Sequence, residues 1–256
     1  MRIDKLMHSL GLAKSREAAQ KLIRDGSVAV NGKIVTKPSF EADEGADIKI
    51  VGEVLRYVSR GGLKLERALD AFGVDVTGLD CVDIGASTGG FTDCLLQRGA
   101  KHVRAVDVGR SQLDASLAKD ERVTSYEGVN ARYITPEDIG GKCSLAVCDV
   151  SFISLSLIIP AVSGLISDTG RFIALIKPQF EAGRENIGKN GIVKDKDVHA
   201  DVIARVLDAA EASGLYCFAL TSSPILGGDG NREYLAGFDR VGGFLRENIK
   251  KTVFEV

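Results

Sequence analysis

At 256 residues, 45% hydrophobic and 27% charged, the chain has room for one large domain plus a small one, and its composition is not that of a disordered protein. A formal net charge of −2 excludes a surface coated in positive charge, so any nucleic-acid contact has to be local. Five scattered cysteines (Cys81, Cys94, Cys143, Cys148, Cys217) and three histidines, without a CxxC or Cys/His cluster, argue against a zinc site and read as buried thiols of a reducing, cytosolic compartment. Met1–Leu12 carries Arg2, Asp4 and Lys5 and lacks the apolar core of a signal peptide. The most apolar stretch, Phe152–Ile166, runs about 15 residues, short of the roughly 20 that span a bilayer.

In chain order, Met1–Leu10 and Ser15–Asp25 have helical apolar spacing, the second with a helix-start signal at Ser15 and a stop at Gly26. Val28–Val30 and Lys33–Val35 flank Asn31-Gly32, the signal for a type I′ hairpin turn, and a further strand is expected near Ala46–Val51. Charge is uneven here: residues 1–40 hold eight Lys/Arg against three acids.

The ordered series Arg2-Ile3-Asp4-Lys5-Leu6, Lys14-Ser15-Arg16-Glu17-Ala18, Ile23-Arg24-Asp25-Gly26 and Val28-Ala29-Val30-Asn31-Gly32 resembles the S4 RNA-binding domain. The resemblance implies that Arg2, Lys5, Lys14, Arg16, Lys21 and Arg24 meet RNA phosphates, contacts that give affinity and position but little sequence reading. Without it, the same charges read as a solvated helix face.

Past the short stretch 52–60, apolar runs alternate with helical patterns. Strands are expected at Cys81–Ile84, His102–Val108, Arg122–Tyr126, Leu145–Asp149, Arg171–Lys177, Leu215–Ser222 and Glu233–Arg240. Helices are expected at Gly62–Phe72, Thr88–Arg98, Ser111–Leu117, Leu155–Ile166 and Asp197–Ser213. Such alternation predicts an α/β fold: a doubly wound, mainly parallel Rossmann-like sheet with helices on both faces, behind a small α+β domain.

The first of these strands runs into Asp83-Ile84-Gly85-Ala86-Ser87-Thr88-Gly89-Gly90-Phe91, small residues that let a ligand approach the sheet's carboxyl edge. Asp107 ends the next strand, where a carboxylate can accept from ribose hydroxyls. The nicotinamide fingerprint Gly-x-Gly-x-x-Gly is not matched, since Ser87 takes the second glycine's place. Asp83, two residues before Gly85, is instead typical of S-adenosylmethionine sites, whose amino acid group an acid and backbone amides can recognise. Asp83, Gly85, Ser87, Thr88, Gly89, Gly90, Phe91 and Asp107 are therefore the expected cofactor residues. Asn130, after the third strand, is a candidate for the adenine edge or an ordinary turn residue.

Lys64, Asp149, Lys177 and Glu233 fall at strand ends or on a flanking helix, where a charge costs free energy unless paired or used. The ordered Lys–Asp–Lys–Glu series resembles the FtsJ-type ribose 2′-O-methyltransferases. With the S4-like start, Lys177-Pro178-Gln179-Phe180-Glu181 and Asn231-Arg232-Glu233-Tyr234, the whole chain is similar to the TlyA family, often labelled haemolysins. This resemblance implies an S4-like domain over 1–51, an interdomain linker over 52–59, and a methyltransferase domain over 60–256. It implies methylation of cytidine ribose in ribosomal RNA from S-adenosylmethionine, with Lys177 as the central catalytic residue and Lys64, Asp149 and Glu233 around it. Lys177 would act as a base when neutral, or as a cation that orients the oxygen. The polar loop from Glu181 to Asp197, bearing Arg184, Lys189, Lys194 and Lys196, would close over RNA or remain solvated. The rival expectations are a membrane-active haemolysin, a catalytically silent RNA-binding or ribosome assembly protein, and a base methyltransferase, whose usual Asn/Asp-Pro-Pro-aromatic run is replaced by Asp149-Val150-Ser151-Phe152.

Overall fold

The computed structural model describes residues 1–13, 15–24, 26–51, 56–188, 191–227 and 230–255, residue 21 by its backbone alone. The chain divides into two compact units, Met1–Arg60 and Gly61–Val256. Residues 52–55 of the expected linker, Lys189 and the Gly228-Asp229 pair lie outside the described residues.

In the first unit, helices α1 (Ile3–Ser9) and α2 (Arg16–Arg24) precede strands β1 (Val28–Val30), β2 (Lys33–Ile34) and β3 (Ile48–Ile50). The strands form an antiparallel sheet in the order β2-β1-β3. Ile3, Leu6 and Met7 of α1 and Ala19 and Ile23 of α2 recur at three- and four-residue spacing and bury against Val28 and Val30. Ser15 Oγ accepts from Ala18 N at 3.1 Å, capping α2. Asn31 and Gly32 sit at φ 49° and 77°, the left-handed pair that a type I′ turn requires.

The second unit opens with α3 (Gly61–Phe72), β4 (Asp80–Ile84), α4 (Gly90–Gln97), β5 (His102–Asp107) and β6 (Val123–Glu127). It continues with β7 (Cys143–Cys148), α5 (Ile159–Leu165), β8 (Ile166–Ile176), α6 (Pro178–Glu181) and α7 (Lys196–Ala212), then β9 (Tyr216–Ser222), β10 (Tyr234–Asp239) and α8 (Asn248–Phe254). The seven strands lie in the order β6-β5-β4-β7-β8-β10-β9. β4 pairs in parallel with both β5 and β7, while β10 runs antiparallel between β8 and β9. Strand order therefore reverses around β4, and in open α/β sheets ligands lodge outside the carboxyl ends at such a reversal. The core is built from strand residues such as Val82, Ile84, Ala146, Phe172, Ala174 and Phe238, covered by Val202, Ile203 and Val206 of α7.

Two expected helices are corrected. Ser111–Leu117 is a run of bends and turns, not a helix. Ser111 holds a left-handed φ of 54° with its N–H on Glu127 Oε1, and Asp114 Oδ1 accepts from Ser116 N in a local turn that competes with helix. The expected helix Leu155–Ile166 is split into a 3₁₀ turn at Leu155–Leu157, capped by Ser154, and α5, which begins one residue before Pro160. Ile166 already belongs to β8, so that strand starts five residues before the expected Arg171. Glu233 lies just ahead of β10 instead of opening it.

Candidate active site

The turn from β4 into α4 closes the sheet edge with left-handed backbone at Gly85, Ser87 and Gly89, at φ 82°, 48° and 93°. A Cβ on Gly85 would lie 2.5 Å from the Asp149 carbonyl oxygen, so only glycine lets β4 and the end of β7 come this close. Ser87 adopts the glycine-like conformation despite its side chain, at a cost of roughly 1–2 kcal/mol. Its N–H donates to Asp107 Oδ2 at 2.8 Å, and Gly109 N–H donates to Oδ1 at 2.6 Å. The Asp107 carboxylate thus ties the glycine-rich turn to the loop after β5, and its remaining lone pairs suit ribose hydroxyls.

A cavity of about 540 Å³ opens beside this carboxylate. Of the expected cofactor residues, Gly85, Ser87, Asp107 and Asn130 line it, together with apolar Val106, Val129, Ile153 and Ile158. Asn130 also accepts from Arg132 N at 3.1 Å through Oδ1, so it is a turn residue and a wall residue at once. Thr88, Gly89, Gly90 and Phe91 do not line the cavity; they shape the turn and the start of α4, and Gly89 makes room for Leu113 and Leu117.

Asp83 is also absent from the lining and is fully buried. Thr92 Oγ1 donates to its Oδ2 at 2.7 Å, while Oδ1 has no hydrogen-bond partner among the described residues. Burial pushes the Asp83 carboxyl up to about 7; the Thr92 hydrogen bond opposes the shift and the charge of Asp149 adds to it. An orphaned acidic oxygen under the glycine-rich turn, a ribose-type acceptor at Asp107 and apolar walls form a donor set that fits a cationic, nucleoside-bearing cofactor.

The four expected catalytic residues resolve into two ion pairs. Lys177 Nζ lies 2.5 Å from Asp149 Oδ1, at an angle outside hydrogen-bond geometry, and donates to Ser151 Oγ at 2.9 Å. Lys64 Nζ donates to Glu233 Oε2 at 2.5 Å, with both side chains almost fully buried. Pairing of Tyr234 with Ile176 brings the residues before and after them, Glu233 and Lys177, to neighbouring positions just beyond the ends of adjacent strands. Asp149 lines the cavity, so the Lys177 pair stands at its wall. A Cβ on Gly227 would approach Glu233 Oε1 to 2.5 Å, so that glycine leaves space for the carboxylate.

Gln112, Ser151 and Phe152 also line the cavity and were not singled out from the sequence. Phe152 is 91% exposed, holds φ 64° and stacks at a tilt on Phe180, ring centroids 5.0 Å apart. The rule that selects Asp149, a polar position just past a buried strand, extends to Ser151 but not to the apolar Phe152.

In the S4-like unit, the buried Asp4 carboxylate collects Arg2 Nε at 3.0 Å, Gln20 Nε2 at 2.8 Å and Arg16 Nη2 at 3.1 Å. Burial works to raise its pKa, but these hydrogen bonds outweigh it and hold the group well below the usual carboxylate range. Arg2 and Arg16 thus spend part of their donors inside the fold while their side chains stay 43% and 44% exposed. Arg24 donates to Gln20 at 3.1 Å, and Lys5 is exposed. Lys14 and the side chain of Lys21 lie outside the described residues.

Residues 57–240 match the FtsJ-like methyltransferase model and residues 1–48 the S4 domain model. A Bacillus subtilis protein described as a candidate rRNA methyltransferase, YqxC, is 51% identical over 91% of this chain and 84% of its own length. The 16S/23S rRNA (cytidine-2′-O)-methyltransferase TlyA of Mycobacterium tuberculosis is 43% identical over 91% of this chain and 87% of its own. A solved Streptococcus thermophilus structure, described as a candidate hemolysin, superposes with a TM-score of 0.80 at 47% identity, covering 100% of this chain and 94% of that one. Among the described residues, no helix is long and apolar enough to cross a membrane. The chain belongs to the TlyA family, an S4 domain followed by an FtsJ-like methyltransferase domain.

Proposed function

We propose that the chain transfers a methyl group from S-adenosylmethionine to the ribose 2′-hydroxyl of a cytidine in ribosomal RNA. The observation that carries this reading is Asp149, which lines the cofactor-sized cavity and pairs with Lys177 at 2.5 Å, so that cofactor space and acid–base machinery share a wall. The rRNA (cytidine-2′-O)-methyltransferase activity of the Mycobacterium tuberculosis relative supports the substrate class.

S-adenosylmethionine, when bound, supplies an electrophilic methyl on a positively charged sulfur. Asp107, Asn130 and the Gly85–Ser87 backbone would hold its nucleoside end, and Asp83, when ionised, would supply negative charge beneath the turn. A ribose hydroxyl becomes a competent nucleophile as its proton leaves. If it gives up its proton, Lys177 would keep an N–H on Ser151 Oγ, with Asp149 beside it, and offer a lone pair to the incoming hydroxyl proton. Once protonated it forms the ion pair with Asp149, which stabilises the charged lysine left by the transfer. The buried Lys64–Glu233 pair fixes the neighbouring strand end, so the reacting nitrogen and oxygen meet in one geometry. Arg2, Lys5, Arg16 and Arg24, with Lys14 and Lys21, would hold RNA phosphates from the first unit.

Purified protein, tritiated methyl donor and unmodified ribosomal subunits test the reading. Label in a dinucleotide resistant to alkaline cleavage supports 2′-O transfer; label on a base, or on neither subunit despite cofactor binding, overturns it.

A further inference from the structure

The loop after β7 is a wall of the cofactor cavity: Asp149, Val150, Ser151, Phe152, Ile153 and Ile158 all line it. Its near end is held by Lys177, through Asp149 and Ser151. Its far end is held by Glu181, where Oε2 accepts from Ser154 Oγ at 2.6 Å and Oε1 from Leu155 N at 2.7 Å. Lys177 and Glu181 sit at either end of one short turn, α6, and Phe180 between them places its ring 5.0 Å from that of Phe152 and 6.0 Å from Lys177 Nζ. The turn is itself anchored, since Arg205 of α7 donates to the Glu181 carbonyl oxygen at 3.2 Å.

Glu181 is largely withdrawn from water, and burial raises its pKa against the opposing hydrogen bonds from Leu155 and Ser154. A carboxylate with both oxygens on one loop, in a site that disfavours its charge, is costly unless the loop's position matters. Between its two anchors the loop carries Phe152 in a left-handed conformation, which persists only where the surrounding structure holds it.

The geometry points to Glu181 as a positioning residue for methyl transfer: its carboxylate clamps the 150–155 loop so that Ser151 meets Lys177 and the Phe152 ring is presented at the cavity mouth. This rests on the proposed reaction. Glu181 does not line the cavity; it acts through the loop. Asp107 and Asn130, the anchors of the nucleoside end, lie on other elements, so loosening the clamp lowers the rate much more than it lowers cofactor affinity.

The test compares Glu181→Ala and Glu181→Gln in methylation of ribosomal subunits and in cofactor binding by calorimetry. Glu181→Ala lowers kcat ten- to hundredfold with cofactor Kd changed less than threefold, and Glu181→Gln, which keeps an acceptor for Leu155 N, recovers most of the rate. The chain has no tryptophan, so Phe152→Trp places a single tryptophan on the loop, excited selectively beyond the absorption band of the five tyrosines. Adding Glu181→Ala to it lowers the anisotropy and speeds acrylamide quenching if the clamp is real. Unchanged kcat, a parallel loss of cofactor binding and rate in both variants, or unaltered fluorescence each overturns the inference. Should Glu181→Ala not fold, Glu181→Asp, one methylene shorter, replaces it with the same expected direction. The parent protein separates the two readings: if it places no methyl on a ribose 2′-oxygen, the proposed reaction has failed, while the fluorescence still decides whether Glu181 holds the loop.

Discussion

Lys64 and Glu233, 169 positions apart in the chain, form a buried ion pair at 2.5 Å beside the end of β8. Removing one partner leaves the other charge uncompensated in the interior, which costs about 3–5 kcal/mol, whereas replacing both with apolar residues of similar volume costs little. Lys64→Met and Glu233→Leu alone should therefore each lower stability in urea unfolding by about that amount, and the double variant by much less than their sum. Additive losses would mean that the pair is not coupled.

Lys177 offers a way to tell base from cation. Lys177→Arg keeps the charge next to Asp149, but the guanidinium does not lose a proton in proteins. Single-turnover methylation should fall about a thousandfold or more in both Lys177→Arg and Lys177→Ala, within the combined range of base and positioning effects. Substantial activity in the arginine variant would assign Lys177 to orienting the oxygen.

Asp107 accepts the backbone N–H groups of Ser87 and Gly109. Asp107→Ala removes both bonds and the ribose acceptor, so calorimetry should show S-adenosylmethionine affinity reduced about tenfold to a hundredfold, the worth of one or two charged hydrogen bonds. Unaltered affinity would place the nucleoside elsewhere.

Asp83 makes stability depend on pH in an unusual direction. Its pKa is raised from 3.8 to about 7 in the folded chain, so between those values the folded state binds more proton than the unfolded one. Its contribution favours folding as pH falls from 7 towards 4 and is lost as pH rises through 7. Asp83→Asn should flatten that part of the Tm profile of the cofactor-free protein. A wild-type profile with the same slope as the variant's would show that Asp83 ionises normally.

The S4-like unit separates folding from binding. Arg16 is bonded to buried Asp4, whereas Lys5 is exposed. Arg16→Ala should lower both Tm and RNA affinity, while Lys5→Ala should weaken RNA binding alone and reduce the salt slope by about 1. Equal affinity for RNA in both variants and the parent would remove this face from the interface.

Much of the fold was legible because apolar runs with short spacing leave few alternatives to a parallel sheet, and the carboxyl-edge rule pointed to Gly85, Ser87, Asp107, Asn130 and Asp149, all of which line the cavity. Legibility failed where spacing served something other than helix. Leu113 and Leu117 keep a helical interval, yet they pack over Gly89 from a run of turns. The glycine-rich motif also mixes residues that face the cavity with residues, such as Gly90 and Phe91, that only launch α4. The partners of Lys64 and Lys177 were not readable, because which acid each lysine meets depends on side-chain reach across elements distant in sequence. Glu181 was quoted within a motif, but its grip on Ser154 and Leu155 follows from the split of an expected helix that the sequence did not reveal.

The two amide bonds to Asp107 bear on inhibitor chemistry. With both oxygens already engaged by the backbone, the carboxylate cannot swivel to meet a mismatched sugar, so its free lone pairs act as a fixed template. A nucleoside analogue with its 2′- and 3′-hydroxyls locked in the matching cis arrangement would bind without ordering the protein, whereas a dideoxy analogue would leave these acceptors unanswered. Sugar stereochemistry is then one handle by which this cavity would discriminate among ligands.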